Sequence, residues 1–100
     1  MLQHYVFIKY QDGTTAEHID LFCNRILSLK KLIPEVISLE IGRDILHDSR
    51  SWDLVLIMVF QSTETLRSYQ KHREHQSVMK FNDPCVEQVA SIDFVSSIKA

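Results

Sequence analysis

The chain has few cysteines, and their placement excludes two classes of site. Cys23 and Cys85 are the only two. A pair this far apart forms neither the closely spaced ligand set of a zinc site nor the framework of a small disulfide-rich domain. Cys23 falls beside Phe22 and Ile26 in a helical pattern, which predicts a buried thiol. We therefore expect a reducing, cytoplasmic setting.

The sequence also lacks a basic cluster and a long apolar run. Its formal net charge is -2, and Lys30–Lys31 is the only adjacent basic pair, whereas nucleic-acid-binding domains concentrate Lys and Arg on one surface. The apolar run Leu54–Phe60 is far shorter than the roughly 20 residues of a membrane-spanning helix. Residues 1–5 show no signal-peptide pattern. We expect no nucleic-acid partner and no membrane segment.

What is present is the composition of one globular domain. Apolar residues make up 45% of the chain and charged residues 24%, which is typical of folded proteins that do not span a membrane. A length of 100 residues leaves room for one hydrophobic core. We therefore predict a single domain over residues 1–100.

Alternating and helical patterns follow one another in a regular order. Four segments rich in aliphatic and aromatic residues predict strands: Gln3–Tyr10, Val36–Gly42, Trp52–Phe60 and the end of Val86–Val95. The helical pattern that follows Thr14, which has capping-box spacing to Glu17, ends before Pro34. Ser62 is expected to cap a second helix carrying Leu66 and Tyr69, and Val78 marks a further short helix. The order β-α-β-β-α-β predicts an α+β, ferredoxin-like fold with an antiparallel four-stranded sheet.

The first and third predicted strands are apolar on both faces. In the first strand, one face carries His4, Val6, Ile8 and Tyr10, and the other carries Tyr5 and Phe7. In the third strand, one face carries Leu54, Leu56, Met58 and Phe60, and the other carries Val55, Ile57 and Val59. Helices cover one face of such a sheet, so an apolar patch is left on the other. Because a symmetric partner would cover this patch, we predict a homodimer. The alternative is one thicker domain whose tail folds over the sheet.

Several motifs in this order resemble the stress-responsive A/B barrel family. The segments that carry the resemblance are Gln3–Tyr10, Ile33–Pro34 with Ser38–Gly42, Trp52–Leu56 with Phe60–Ser62, Tyr69–His75 and Asp93–Phe94. One departure is Arg73, which replaces the proline of the family's HPxH segment. The resemblance implies a dimeric α/β barrel with a cavity between sheet and helices.

The resemblance also implies candidate site residues. One plant branch of the family cyclises a polyketide chain without a cofactor, and its base and assisting tyrosine correspond to His75 and Tyr69. A pocket histidine of that branch corresponds to His4, and another falls at Leu54, which puts a shared reaction in doubt. We expect His4, Val6, Leu54 and Leu56 to line a ligand pocket.

Each candidate also has a structural interpretation. His75 acts either as a general base or as a loop histidine that satisfies backbone groups. Tyr69 either packs in the core or bonds a ligand, and His4 is either a structural residue or a pocket donor. Asp53 is either a buried, catalytic acid or an edge charge paired with Arg43, Arg50 or Arg67, and we expect the pairing. His72 and His75 have no further ligand at a suitable spacing, so we expect neither a metal nor another cofactor.

Three functions remain open at this point. The first is an apolar pocket that binds a small hydrophobic molecule with no defined reaction. The second is a cofactor-independent cyclase or lyase acting on a small carbonyl compound through the His75 and Tyr69 pair. The third is a purely structural dimer whose interior is filled by Tyr10, Met58 and Phe60.

Overall fold

The computed structural model describes residues 1–98 and contains one sheet with helices on one side. The strands are β1 (Leu2–Tyr10), β2 (Ser38–Arg43), β3 (Leu54–Phe60) and β4 (Val86–Val95). The helices are α1 (Ala16–Leu32), α2 (Thr63–Lys71) and α3 (Arg73–Asn82), and a 3-10 turn, Asp83–Cys85, leads into β4. The sheet order is β2-β3-β1-β4, with every neighbouring pair antiparallel. The predicted ferredoxin-like α+β fold is confirmed.

The boundaries of several elements differ from the sequence-based expectation. Strand β2 begins at Ser38, not Val36, because the Val36 amide donates to the Ile33 carbonyl in a turn (3.1 Å). Strand β3 begins at Leu54, not Trp52.

The residue that caps α1 also differs from the prediction. Thr15, not Thr14, is the N-cap: its hydroxyl accepts from the His18 amide at 3.1 Å. The Thr14 hydroxyl instead donates to the Gln11 carbonyl at 2.7 Å.

The predicted Asp53–arginine pair is absent from residues 1–98. The Asp53 carboxylate accepts from the backbone amide of Tyr10 at 2.7 Å. Arg43 pairs with Asp20 of α1 at 2.7 Å. Asp53 therefore fixes the end of β1, where the pairing with β4 shifts register between Lys9 and Tyr10.

The core lies between the sheet and the helices. Strand β3 alternates strictly, with Leu54, Leu56, Met58 and Phe60 buried. Helix α1 contributes Phe22, Cys23, Ile26 and Leu29 to the same layer, so the predicted burial of the Cys23 thiol is confirmed. These side chains form the buried layer between α1 and the sheet.

The other face of the sheet is apolar and uncovered in the described residues. The register places Tyr5 opposite Ile57 and Ile92, so these side chains share that face. Ile92 is 54% exposed and Phe94 42%. Up to residue 98 the tail does not fold back over them: the Ser96 amide donates to the Met1 carbonyl, extending β4, and Ile98 is 83% exposed.

Candidate functional site

A cavity of about 60 Å³ lies between the sheet and helices α2 and α3. Strands β1 and β3 form its floor, and the chain from the end of α3 into β4 closes one side. The lining residues are mostly apolar; they are His4, Val6, Ile8, Leu56, Met58, Tyr69, His75, Met79, Asn82, Asp83, Val86 and Val89. The cavity is therefore an apolar chamber with a few polar groups in its wall.

Five of the six residues expected from the sequence lie around this cavity. The structure brings together His4, Val6, Leu56, Tyr69 and His75. Leu54 is not among the lining residues. It lies on the same face of β3 as Leu56, two residues before it and opposite Ile8, and it packs in the core. The position where the plant branch has a further histidine is thus outside this chamber.

His75 is held in one orientation by the end of the preceding helix. Its Nδ1 lies 3.1 Å from the carbonyl oxygen of Gln70. Because a carbonyl only accepts, Nδ1–H is the donor and Nε2 of the neutral ring has a free lone pair. Burial lowers the pKa of His75 from its usual 6.5, against the opposing effect of the Gln70 carbonyl. A neutral imidazole with a free Nε2 is the form that accepts a proton.

Tyr69 packs its ring between other aromatic groups. The ring centroid of Tyr69 lies 5.1 Å from that of Phe60 and 4.4 Å from that of His75. Tyr69 is 2% exposed, and burial raises the pKa of its hydroxyl well above the usual 10. In the described part of the chain, no side chain or backbone group bonds this hydroxyl. It is therefore a neutral donor available to the cavity.

His4 is paired with an acid on the neighbouring strand. The register places His4 of β1 opposite Asp93 of β4, and Nδ1 of His4 bonds the Asp93 carboxylate. His4 is 6% exposed, whereas the Asp93 side chain is 38% exposed. Its Nδ1 is thereby engaged, and Nε2 is the ring atom left for the cavity.

His72 does not belong to the chamber, although the sequence places it close to His75. It is the last residue before α3, and its Nδ1 accepts from the Glu74 amide at 3.1 Å. Arg73 is therefore the first residue of α3. This is the position at which proline is favoured because its missing N–H is not needed there. Arginine is also accommodated at this position, where it begins α3.

Sequence reasoning missed Asn82, which lines the chamber, and Asp93, which bonds the lining residue His4. Asp93 was noted as part of a family motif, but only the β1–β4 register brings it to His4. Asn82 is 2% exposed and accepts from the Tyr10 hydroxyl at 2.7 Å. Its position just before Asp83 and Pro84, where a helix ends, was the available signal.

The described part of the chain contains neither a metal-binding cluster nor a membrane-spanning helix. Within residues 1–98, no three His, Cys, Asp or Glu side chains are grouped so that they could bind a metal ion together. None of the helices in that range combines the length and apolarity that a membrane crossing requires.

Comparison with protein families identifies the class to which this fold and chamber belong. The profile of the stress responsive A/B barrel domain, Dabb, matches residues 2–96. The chain therefore belongs to the stress responsive A/B barrel family. Among curated proteins, none shows significant sequence similarity to it.

Solved structures show the same fold at low sequence identity. At3g17210 from Arabidopsis thaliana is 19% identical, with a TM-score of 0.86 over 100% of this chain and 99% of that one. A dimeric ferredoxin-like protein of unknown function from Thermobifida fusca is 18% identical, with a TM-score of 0.85 over 95% and 90% of the two chains. The hydroxynitrile lyase from Passiflora edulis is 15% identical, with a TM-score of 0.85 over 99% and 96%.

Proposed function

We propose that this chain is a homodimeric binding protein whose chamber holds a small, largely apolar molecule bearing one polar group. The observation that carries the proposal is the set of polar atoms in an otherwise apolar wall. No hydrogen bond within residues 1–98 involves the Tyr69 hydroxyl or Nε2 of His75 or of His4. Because no fully buried side-chain nitrogen or oxygen in that range lacks a partner, these three atoms keep some accessible surface. Unbonded but accessible polar atoms in an apolar wall are the groups that orient a bound ligand, so a ligand that bonds them is expected here.

The size of the chamber restricts the ligand. Pockets that hold drug-sized molecules measure about 300–1,000 Å³, and this one measures about 60 Å³. It accepts a molecule of a few heavy atoms without rearrangement. A longer chain requires the side chains of Met58 or Met79 to move, which unbranched methionine permits.

The polar atoms also indicate the ligand's functional group. The neutral Tyr69 hydroxyl donates, and Nε2 of His75 accepts. A hydroxyl group both accepts and donates, so an alcohol matches the two protein groups at once, whereas a ketone matches only Tyr69. We therefore expect a small alcohol to bind more tightly than the corresponding ketone.

Ligand-observed NMR with cyclopentanol and cyclopentanone tests this proposal. We expect cyclopentanol to bind with a Kd of about 1 mM, in keeping with its few heavy atoms, and more tightly than cyclopentanone. Tyr69→Phe removes one bond and should weaken cyclopentanol binding about fivefold. Thr63→Ala, an exposed change on the same helix, is the matched control and should bind as the unmodified chain does. Equal affinities in all three proteins would contradict the chamber as the binding site.

The free Nε2 of His75 beside Tyr69 favours a second candidate, a cofactor-independent lyase. The same fold supports a lyase of hydroxynitriles in Passiflora edulis. In such a step here, Nε2 of His75 takes the hydroxyl proton, and the bond between the carbinol and nitrile carbons breaks. A carbonyl group forms, and the departing cyanide takes the proton back from His75. Tyr69 donates to the same oxygen and orients it.

Acetone release from acetone cyanohydrin separates the two candidates. The lyase predicts release above the spontaneous rate and a loss of about a hundredfold or more in His75→Gln. If the chain binds cyclopentanol but releases acetone no faster than the spontaneous rate, the lyase is excluded and the binding function is supported.

A further inference from the structure

A second cluster of reactive side chains lies outside the chamber, where the 3-10 turn meets the start of α1. Cys85 is a free, partly exposed thiol. Its Sγ lies 3.9 Å from Nδ1 of His18, within the longer reach of a sulfur hydrogen bond. The backbone of this segment is fixed as well, because the Gln11 amide donates to the Cys85 carbonyl at 2.8 Å.

The imidazole of His18 is held from three sides. It stacks on Phe81, with ring centroids 4.5 Å apart and planes inclined by 16°. The ring of Tyr10 meets it edge-on at 5.8 Å. Nε2 of His18 lies 3.0 Å from Oδ1 of Asn82. Few other positions are open to the ring, so Nδ1 stays directed at the thiol.

The hydrogen bonds also assign the proton on the His18 ring. Oδ1 of Asn82 accepts from the Tyr10 hydroxyl and from Nε2 of His18. With the proton on Nε2, Nδ1 of the neutral ring is an acceptor and Cys85 S–H is its donor. A thiol next to an imidazole that is oriented by an amide is the arrangement of nucleophile, base and orienting group found in cysteine hydrolases.

We propose that Cys85 is a reactive thiol, with His18 as its base, that adds to small α,β-unsaturated carbonyl compounds. The Sγ–C bond forms at the β-carbon, and the electron pair of the C=C bond moves to the α-carbon. Nδ1 of His18 takes the thiol proton and delivers it to the α-carbon. Nothing leaves, and neither an oxidant nor a reductant is needed. This site shares Asn82 with the wall of the chamber but does not depend on the function proposed for the chamber.

Alkylation by N-ethylmaleimide, followed by peptide mass spectrometry at neutral pH, tests the proposal. Cys85 should react about tenfold faster than glutathione under the same conditions. Cys23 is 7% exposed and should stay unmodified, so it reports within the same sample whether the fold is intact. Cys85→Ser should remove the fast reaction.

The variant His18→Ala distinguishes a base from a side chain that only covers the thiol. Loss of the base should slow Cys85 alkylation about tenfold, although the smaller side chain gives the reagent more room. Added imidazole should restore the rate, with glutathione as the control for its effect on any thiol. A Cys85 rate no faster than that of glutathione would overturn the proposal. The proposal would also be overturned if Cys85 in His18→Ala reacted as fast as in the unmodified chain while Cys23 stayed protected. A slow reaction of His18→Ala that added imidazole does not accelerate would overturn it as well.

Discussion

The histidines of this fold differ in the ring nitrogen that the protein engages. His75 and His4 use Nδ1, bonded to the Gln70 carbonyl and to the Asp93 carboxylate. His18 uses Nε2, bonded to Asn82. The other nitrogen is therefore left for the chamber in the first two, and in His18 it accepts from the Cys85 thiol. The same residue type serves two sites because different partners fix its proton.

The lowered pKa of His75 predicts a pH dependence of stability. The unfolded chain binds the His75 proton more tightly than the folded chain does, so acid favours unfolding. This contribution to stability is complete above the usual pKa of 6.5 and is lost as the pH falls below it. We expect the Tm of the unmodified chain to fall more between neutral and mildly acidic pH than that of His75→Gln. Parallel Tm curves would contradict the burial of this imidazole.

Two buried tyrosines give a matched test of which hydroxyl the protein itself uses. The Tyr10 hydroxyl donates to Asn82 at 2.7 Å, and the Tyr69 hydroxyl has no protein partner among the described residues. We expect Tyr10→Phe to lower the free energy of unfolding by about 1–2 kcal/mol and Tyr69→Phe by less than about 0.5 kcal/mol. Urea denaturation measures both. Equal losses would mean that the Tyr69 hydroxyl has a structural bond.

At the scale of elements, the start of α2 fixes the position of Tyr69. The Ser62 hydroxyl accepts from the Thr65 amide at 3.3 Å, and the Thr65 hydroxyl accepts from the Ser62 amide at 3.1 Å. Ser62→Ala should lower the free energy of unfolding by about 1 kcal/mol, because the Thr65 amide loses its acceptor. Thr63→Ala, one residue later and exposed, should change it little. Thermal unfolding of the two variants makes the comparison, and a Ser62→Ala Tm equal to that of Thr63→Ala would argue against the cap.

The sequence predicted the order and type of these elements better than their ends. Periodicity reports which face is buried, and it located α1 and α2 correctly and β3 to within two residues of its start. It did not distinguish Thr14 from Thr15 as the cap of α1. That choice depends on the turn at Gly13, whose φ of 87° directs the Thr14 hydroxyl back to Gln11. Turn geometry of this kind is not encoded in hydrophobic spacing.

The candidate site was predictable only as far as local motifs reach. Tyr69 and His75 lie a few residues apart, so their motif indicated a shared site. The pairing of His4 with Asp93 depends on the register of β1 and β4, which a shift between Lys9 and Tyr10 modifies. The contact between Cys85 and His18 joins distant parts of the chain in the same way. Contacts set by register and packing require the folded structure.

At the scale of the whole molecule, the uncovered face of the sheet predicts a homodimer, and two leucine-sized residues test it. Ile92 of β4 lies on that face and is 54% exposed; Leu27 lies on α1 and is 49% exposed. If two sheets pack together, Ile92→Glu buries a charge and should weaken the dimer at least about tenfold, whereas Leu27→Glu should leave it intact. Light scattering after size-exclusion chromatography at micromolar concentration measures both masses. Pairing through the sheet would be contradicted by an unmodified chain that is monomeric, or by two variants of equal mass. The apolar face of the sheet would then be exposed to water, which monomers of this size rarely show.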